Sequence, residues 1–175
     1  EMWRTYTVPG PGEPGHETWK DENNVWMVGG AALWTVGTYD PDSRLTYWGT
    51  GNAQPMFDVE YRPGDNLYSD AVMAFNVDDG SIEWYFQYVA NEGWDYDENG
   101  IHQIYDIPVN GETTRVLGHW GRNGFHYRFD ATDGRSTSPF SSAFSISSCF
   151  STCSWSKGRS YLARQTALIS WMPIR

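Results

Sequence analysis

Short stretches of alternating hydrophobic and polar residues recur between Ala31 and Val89. A period of two is typical of β-strands that bury one face. Turn-forming residues divide this region at Asp-Pro-Asp-Ser-Arg, at the long segment 52–66 and at Asp-Asp-Gly. The four predicted strands are approximately LWTVGTY, LTYWGTG, AVMAFNV and IEWYFQYV. The sequence therefore predicts an all-β fold.

Two Asp-Gly pairs, Asp79-Gly80 and Asp133-Gly134, predict tight hairpins in which both residues take positive φ angles. The segment 74–84, AFNVDDGSIEW, recurs in weaker form as YRFDATDGR at 127–135. Repeats of this size indicate a solenoid or propeller, and four antiparallel strands describe one propeller blade. Trp84 is predicted to pack between neighbouring blades, and Trp3 to do the same for the preceding one.

Composition and charge narrow the classes of partner. Aromatic residues make up 17% of the 175-residue chain, which favours strands. The formal net charge of -10 argues against nucleic acid and anionic membrane as partners. The chain has no apolar run of about 20 residues that could cross a bilayer. It starts in the middle of a predicted strand, so we expect the N-terminus to be truncated.

The character of the chain changes after about Gly134. Residues 135–175 contain no Asp or Glu and five basic residues, within a Ser-dense run. A frameshift product or the end of a gene fragment would lose the pattern in this way, so we expect a non-matching, irregular tail. Its Cys149 and Cys153 lack the second pair of ligands that a structural zinc site needs.

Ordinary metal and haem motifs are missing from the sequence. The four histidines show no zinc-site spacing and are His16, His102, His119 and His126. No C-x-x-C-H segment occurs, so nothing in the sequence indicates a fused cytochrome.

One motif resembles a known family. Ala74, Asn76, Gly80 and Trp84 follow A-x-(D/N)-x-x-x-G-x-x-x-W, which resembles the tryptophan docking motif of the eight-bladed quinoprotein propellers. The series GPGEPGHETWK, GTGN, YRPGDN, EGWDYD and GRNGF is similar in order to the middle of pyrroloquinoline quinone (PQQ) dependent alcohol dehydrogenases of the methanol dehydrogenase type. The resemblance spans residues 1–134 and implies about two blades of an incomplete propeller.

Three polar residues match metal-site positions of that family. Asn52, in GTGN, matches a metal-binding asparagine, and Asp95, in Gly-Trp-Asp, matches the catalytic base, which also faces the metal. Asp97 resembles the additional acid of the lanthanide-dependent branch, provided that an extended chain points both carboxylates to one side. Without the resemblance, Asn52 and Asp95 would be interpreted as turn residues and Asp97 as an acid of a polar loop.

Two further residues match cofactor positions. Trp34 resembles the tryptophan under the PQQ ring, and Arg122 resembles the arginine near the quinone oxygens, where it would stabilise developing negative charge. The alternatives are a core tryptophan and a surface arginine at a strand end.

The resemblance implies a periplasmic enzyme that oxidises a primary alcohol to an aldehyde with PQQ and Ca²⁺ or a lanthanide ion. A periplasmic cytochrome c would accept the electrons. The family's metal-binding Glu is expected just upstream of Glu1, and two blades leave sheet edges open, so we expect this chain alone to be inactive. The alternatives are a non-catalytic propeller scaffold or protein-binding module, and a quinoprotein dehydrogenase acting on sugars or polymers.

Overall fold

Seven β-strands make up the regular structure of the computed structural model, which describes residues 1–20 and 23–137. The strands are β1 Thr38–Asp40, β2 Leu45–Gly49, β3 Ala71–Asn76, β4 Ile82–Gln87, β5 Gln103–Val109, β6 Glu112–Trp120 and β7 His126–Asp130. The only helices in these ranges are the single 3-10 turns His16–Thr18 and Val25–Met27. The described ranges contain no helix with the length and apolar character that a bilayer crossing requires. The predicted tail lies, from residue 138 onward, outside the described residues, as do Cys149 and Cys153.

The first sheet is four-stranded and antiparallel, in the order β1-β2-β3-β4, as the sequence predicted. The predicted first strand was too long at its start, because β1 begins at Thr38 and not at Leu33. Residues 33–37 leave the strand path after Ala31, which has a left-handed φ of 48°. They are held instead by side-chain contacts, including a hydrogen bond from the Thr35 hydroxyl to the Asn99 carbonyl.

The turn between β3 and β4 differs from the predicted two-residue hairpin. Only Gly80 takes a positive φ, of 75°, and its N–H donates to the Asn76 carbonyl at 2.8 Å. Gly134 repeats this arrangement after β7, with φ 73° and a 2.9 Å bond to the Asp130 carbonyl. The prediction of matching turns is confirmed, while positive φ at the two aspartates is not.

The second sheet is three-stranded and antiparallel, in the order β5-β6-β7. β5 and β6 are joined by Asn110 and Gly111, with φ of 52° and 90°. Two consecutive positive φ angles match the right-handed twist of the flanking strands, which is why Asn-Gly suits this turn. The turn fixes a register in which Gln103 lies opposite Gly118.

The main hydrophobic core contains side chains from both sheets. Its buried residues are Leu45, Tyr47, Val72, Ala74, Trp84, Tyr88, Val89, Leu117, Tyr127, Phe129 and Ala131. The opposite face of β3 contributes Ala71, Met73 and Phe75 to a second cluster. β3 is therefore buried on both faces, as expected for a strand in the middle of a propeller blade.

Trp84 connects the two sheets, as predicted. Its indole N–H donates to the Ala131 carbonyl at 3.0 Å, and a Cβ added to Gly134 would lie 2.7 Å from its ring. Trp3 forms the same pair of contacts one unit earlier, with a 2.8 Å bond to the Val77 carbonyl and its ring against Gly80. The same sequence element is thus used twice, which is the geometry of successive propeller blades.

Candidate functional site

A cavity of about 370 Å³ lies where three loops meet. The loops precede β1, follow β2 and follow β4, and they supply the lining residues Gly30, Ala32, Trp34, Gly51, Asn52, Gln54, Met56, Asp95 and Asp97. Four of the five residues predicted for a cofactor and metal site, Trp34, Asn52, Asp95 and Asp97, therefore surround one space.

Glycine at position 51 allows the loops to approach each other. A Cβ at Gly51 would lie 2.8 Å from Asp97 Oδ1 and 3.3 Å from Trp34 Nε1, closer than side chains tolerate. The Gly51 N–H donates to the Ala32 carbonyl at 3.1 Å. The glycine therefore lets the carboxylate and the indole lie against the same backbone.

Asp95 and Asp97 reach the cavity by a route that the sequence did not predict. The expected extended chain is wrong, because the two residues have left-handed φ angles of 64° and 53°. Aspartate adopts this conformation more readily than most residues, since its short polar side chain bonds nearby backbone groups. Asp97 Oδ1 accepts the Asn52 N–H at 3.1 Å, which ties the 95–97 loop to the loop after β2.

Asn52 is 6% exposed and lines the cavity. Its Nδ2 donates to the Ala53 carbonyl at 3.1 Å, which orients the side-chain amide. Within the described ranges, no donor bonds its amide oxygen. A neutral oxygen held in this way is a suitable ligand for a hard cation.

Trp34 is 62% exposed and does not lie in the sheet interior. With the Asn99 side-chain amide in the orientation that satisfies both of its ends, the amide oxygen accepts from Trp34 Nε1. In that orientation the Asn99 amide nitrogen donates to the Asp97 carbonyl at 3.1 Å. The exposed indole is therefore fixed at its N–H edge, and its face is available for a flat ring.

Arg122 does not line the cavity. Its guanidinium donates to the Asp95 and Tyr96 carbonyls, at 3.3 Å and 2.5 Å. The arginine therefore contacts the backbone of the loop that carries Asp95.

Sequence patterns did not point to a buried hydrogen-bonded group behind the cavity. Glu98 accepts from His119 Nε2 at 3.0 Å and from the Arg122 N–H at 2.8 Å. The His119 ring stacks on His102, with ring centroids 4.0 Å apart, and His102 Nε2 bonds the Tyr88 hydroxyl at 2.8 Å. Burial lowers the pKa of His102, so its ring is neutral at physiological pH.

A second buried polar group surrounds Arg62, which is fully buried. Its guanidinium donates to the carbonyls of Pro55, Met56 and Glu92 and to the Asn66 side chain. Asp70 is buried nearby, and neither of its carboxylate oxygens accepts a hydrogen bond from the described residues. Burial raises its pKa from 3.8 to about 8.

The donor set around the cavity suits a hard cation but is incomplete. One amide oxygen and two carboxylates are the ligand types that Ca²⁺ and lanthanides prefer, although six to eight oxygens are usual for Ca²⁺. The described residues contain no cluster of three or more His, Cys, Asp or Glu side chains that could hold a metal by itself. Asn52, Asp95 and Asp97, together with an exposed indole, therefore fit part of a cation and quinone site.

The two antiparallel sheets, joined through a repeated tryptophan contact, define an all-β protein of the β-propeller class. The family described as "PQQ: Glucose/ethanol/alcohol dehydrogenase, beta-propeller domain" matches residues 1–143. The chain belongs to this family of PQQ-dependent alcohol dehydrogenases.

Curated and solved relatives agree with that family. The quinoprotein alcohol dehydrogenase PedH of Pseudomonas putida is 41% identical over 126 residues, covering 71% of this chain and 20% of PedH. The dehydrogenase subunit of the Gluconobacter oxydans quinone alcohol dehydrogenase is 36% identical over 153 residues, covering 76% of this chain and 20% of that protein. A solved europium-containing methanol dehydrogenase is 36% identical, with a TM-score of 0.66, covering 74% of this chain and 22% of that one. The chain spans about a fifth of the length of these relatives.

Proposed function

We propose that this chain supplies the cation-binding side of the active site of a quinoprotein that oxidises a primary alcohol to an aldehyde. The observation that carries the proposal is the single cavity lined by Trp34, Asn52, Asp95 and Asp97. When bound, PQQ would accept hydride from the alcohol while Ca²⁺ or a lanthanide ion serves as a Lewis acid.

In this proposal the cation is held by Asn52, Asp95 and Asp97. Asn52 contributes a neutral oxygen, and each aspartate contributes negative charge. Asp97 Oδ1 accepts the Asn52 N–H, so these two residues lie next to each other at the cavity. The additional carboxylate of Asp97 suits a trivalent ion, and the proposed occupant is Ca²⁺ or a lanthanide ion.

Asp95 is proposed to take the hydroxyl proton of the alcohol. A carboxylate acts as a general base only within hydrogen-bond reach of that proton, and its position among the cavity-lining residues supports the assignment. Trp34 would stack on the flat cofactor ring. Arg122 would place positive charge beside the loop of Asp95 and close to the quinone oxygens.

For the whole protein we propose a substrate, an electron acceptor and a cellular compartment. The substrate would be a small alcohol, the electron acceptor a periplasmic cytochrome c, and the compartment the periplasm. The names of the relatives, which include quinoprotein and quinone-dependent alcohol dehydrogenases, support the substrate class.

A hybrid enzyme tests the assignment of Asp95. Residues 1–137 would replace the matching segment of PedH, and alcohol-dependent dye reduction would be measured with PQQ and either Ca²⁺ or La³⁺. We expect Asp95→Asn to lower kcat by about 100-fold or more, since general base catalysis contributes that much. The matched control is Asp65→Asn, because Asp65 is exposed and lies away from the cavity lining. An Asp95→Asn hybrid that folds and turns over as fast as the control contradicts the proposal.

A further inference from the structure

Glu98 links the two segments that carry the charged residues of the candidate site. It is 1% exposed, and each of its carboxylate oxygens accepts one hydrogen bond, from the His119 ring and from the Arg122 N–H. The Arg122 guanidinium in turn donates to the Asp95 and Tyr96 carbonyls. The segment 95–98 is thereby tied at both ends to the turn that follows β6.

The partner of Glu98 is itself fixed in place. His119 stacks on His102 with an angle of 11° between the ring planes. His102 is held by the Tyr88 hydroxyl, and Tyr88 belongs to the main core. The orientation of the Glu98 carboxylate is therefore determined by rigid, packed groups on the second sheet.

Glu98 does not act on a ligand directly. It is not among the residues that line the cavity, and both of its oxygens already accept hydrogen bonds from protein donors. Its neighbour Asp97, in contrast, lines the cavity. Any influence of Glu98 on the site must pass through the backbone of the 95–98 segment.

We propose that Glu98, oriented by His119, is a positioning residue that holds the carboxylates of Asp95 and Asp97 at the cation site. The inference rests on the proposed function, because it requires that those two aspartates bind a cation. Residues that hydrogen-bond to metal ligands without contacting the metal typically change metal affinity by about 10–100-fold when they are removed.

Terbium(III) titration of the 175-residue chain tests this role, with tryptophan-sensitised luminescence as the readout and thermal unfolding measured in parallel. We expect Glu98→Ala to weaken terbium binding by about 10–100-fold. Glu98→Gln should restore most of the affinity, because its amide oxygen can still accept the Arg122 N–H. Its amide nitrogen can donate to His119 Nε2 when the imidazole carries its proton on Nδ1. Glu112→Ala is the matched control, since Glu112 is exposed at the start of β6, directly after the turn that joins it to β5.

A folded Glu98→Ala chain that binds terbium as tightly as the unmodified chain overturns the inference, even if its unfolding temperature is lower. If that variant does not fold, terbium binding by His119→Phe tests the inference instead. This substitution keeps an aromatic ring for stacking but removes the donor to Glu98. Unchanged affinity in His119→Phe also overturns the inference. Failure of the proposed cation site gives a different pattern, in which Asn52→Ala and Asp97→Asn leave terbium binding unchanged.

Discussion

Asp70 is a buried carboxyl group without a hydrogen-bond donor among the described residues. Burial is the largest effect on its pKa and raises it, and the nearby Glu92 adds repulsion that raises the pKa further. A carboxyl that titrates at about 8 is mostly protonated at neutral pH. The folded state therefore binds a proton that the unfolded chain has already released.

Proton binding by Asp70 makes the stability of the folded chain depend on pH, and Asp70→Asn removes this dependence. Between pH 4 and pH 8 the native state holds the extra proton, so the Asp70 contribution to the free energy of unfolding falls as pH rises through this window. We expect the free energy of unfolding of the variant, minus that of the unmodified chain, to rise by roughly 2–4 kcal/mol from pH 4 to pH 7. Urea unfolding of the metal-free chain at several pH values measures this difference.

The exposed Asp65→Asn serves as the control, with no such trend expected. An asparagine at position 70 would have its own packing cost, which is the same at every pH. The protonation of Asp70 is therefore tested by how the stability difference changes with pH, and not by its absolute size. A difference that stays constant from pH 4 to pH 7 would show that Asp70 is ionised in the folded chain.

At the scale of elements, the Trp84 indole forms one of the contacts between the two sheets. Trp84 packs against Tyr47 and Phe129, with ring centroids 5.7 Å and 6.0 Å away, and its N–H is satisfied by Ala131. Truncating a buried tryptophan removes both the buried area and the ring contacts. Truncation of Trp84 should therefore weaken the packing between the two sheets.

Trp84→Ala is expected to lower the free energy of unfolding by about 3–5 kcal/mol. Trp120→Ala, which removes a ring that is 58% exposed, should cost less than about 1 kcal/mol. Chemical denaturation followed by far-ultraviolet circular dichroism measures both values. Equal losses for the two variants would mean that Trp84 does not connect the sheets as described.

Local patterns predicted the first sheet well, because alternation and Asp-Gly turns are properties of neighbouring residues. The Asn110-Gly111 pair was an equally local signal for the turn between β5 and β6. The register that follows pairs Gln103 with Gly118, so His102 and His119 come next at the end of the ladder. The pairing of these histidines could therefore have been found from the sequence. Their contact with Glu98 could not, since it depends on how a loop after β4 packs on the second sheet.

For the candidate site, sequence motifs identified the residues but did not predict the backbone conformation that places them. The resemblance identified Trp34, Asn52, Asp95 and Asp97 by their motifs, and these residues line one cavity. It did not foresee the left-handed conformation of the aspartates, because backbone φ angles in a loop are set by contacts such as the Asn52 N–H bond to Asp97. Asp70 and Arg62 were missed because burial of charged residues leaves no alternating pattern.

At the scale of the whole molecule, the described strands cover about two blades of a propeller that closes only with others. The cavity is lined by the oxygen-bearing side chains of Asn52, Gln54, Asp95 and Asp97 and by one exposed face of an indole. We expect the 175-residue chain alone to bind PQQ weakly and to show no alcohol-dependent dye reduction. A fluorescence titration with PQQ and an assay with ethanol measure both, and turnover by the isolated chain would contradict this expectation.

Asn52, Asp95 and Asp97 are proposed to hold one hard cation beside Trp34. A crystal structure of the chain soaked with a lanthanide, with the ion located by its anomalous scattering, tests this most directly. We expect one ion about 2.3–2.6 Å from an oxygen of each of the three residues, as for a large oxygen-bound cation. An ion bound elsewhere, with the Asn52 oxygen outside this distance range, would contradict the proposed site.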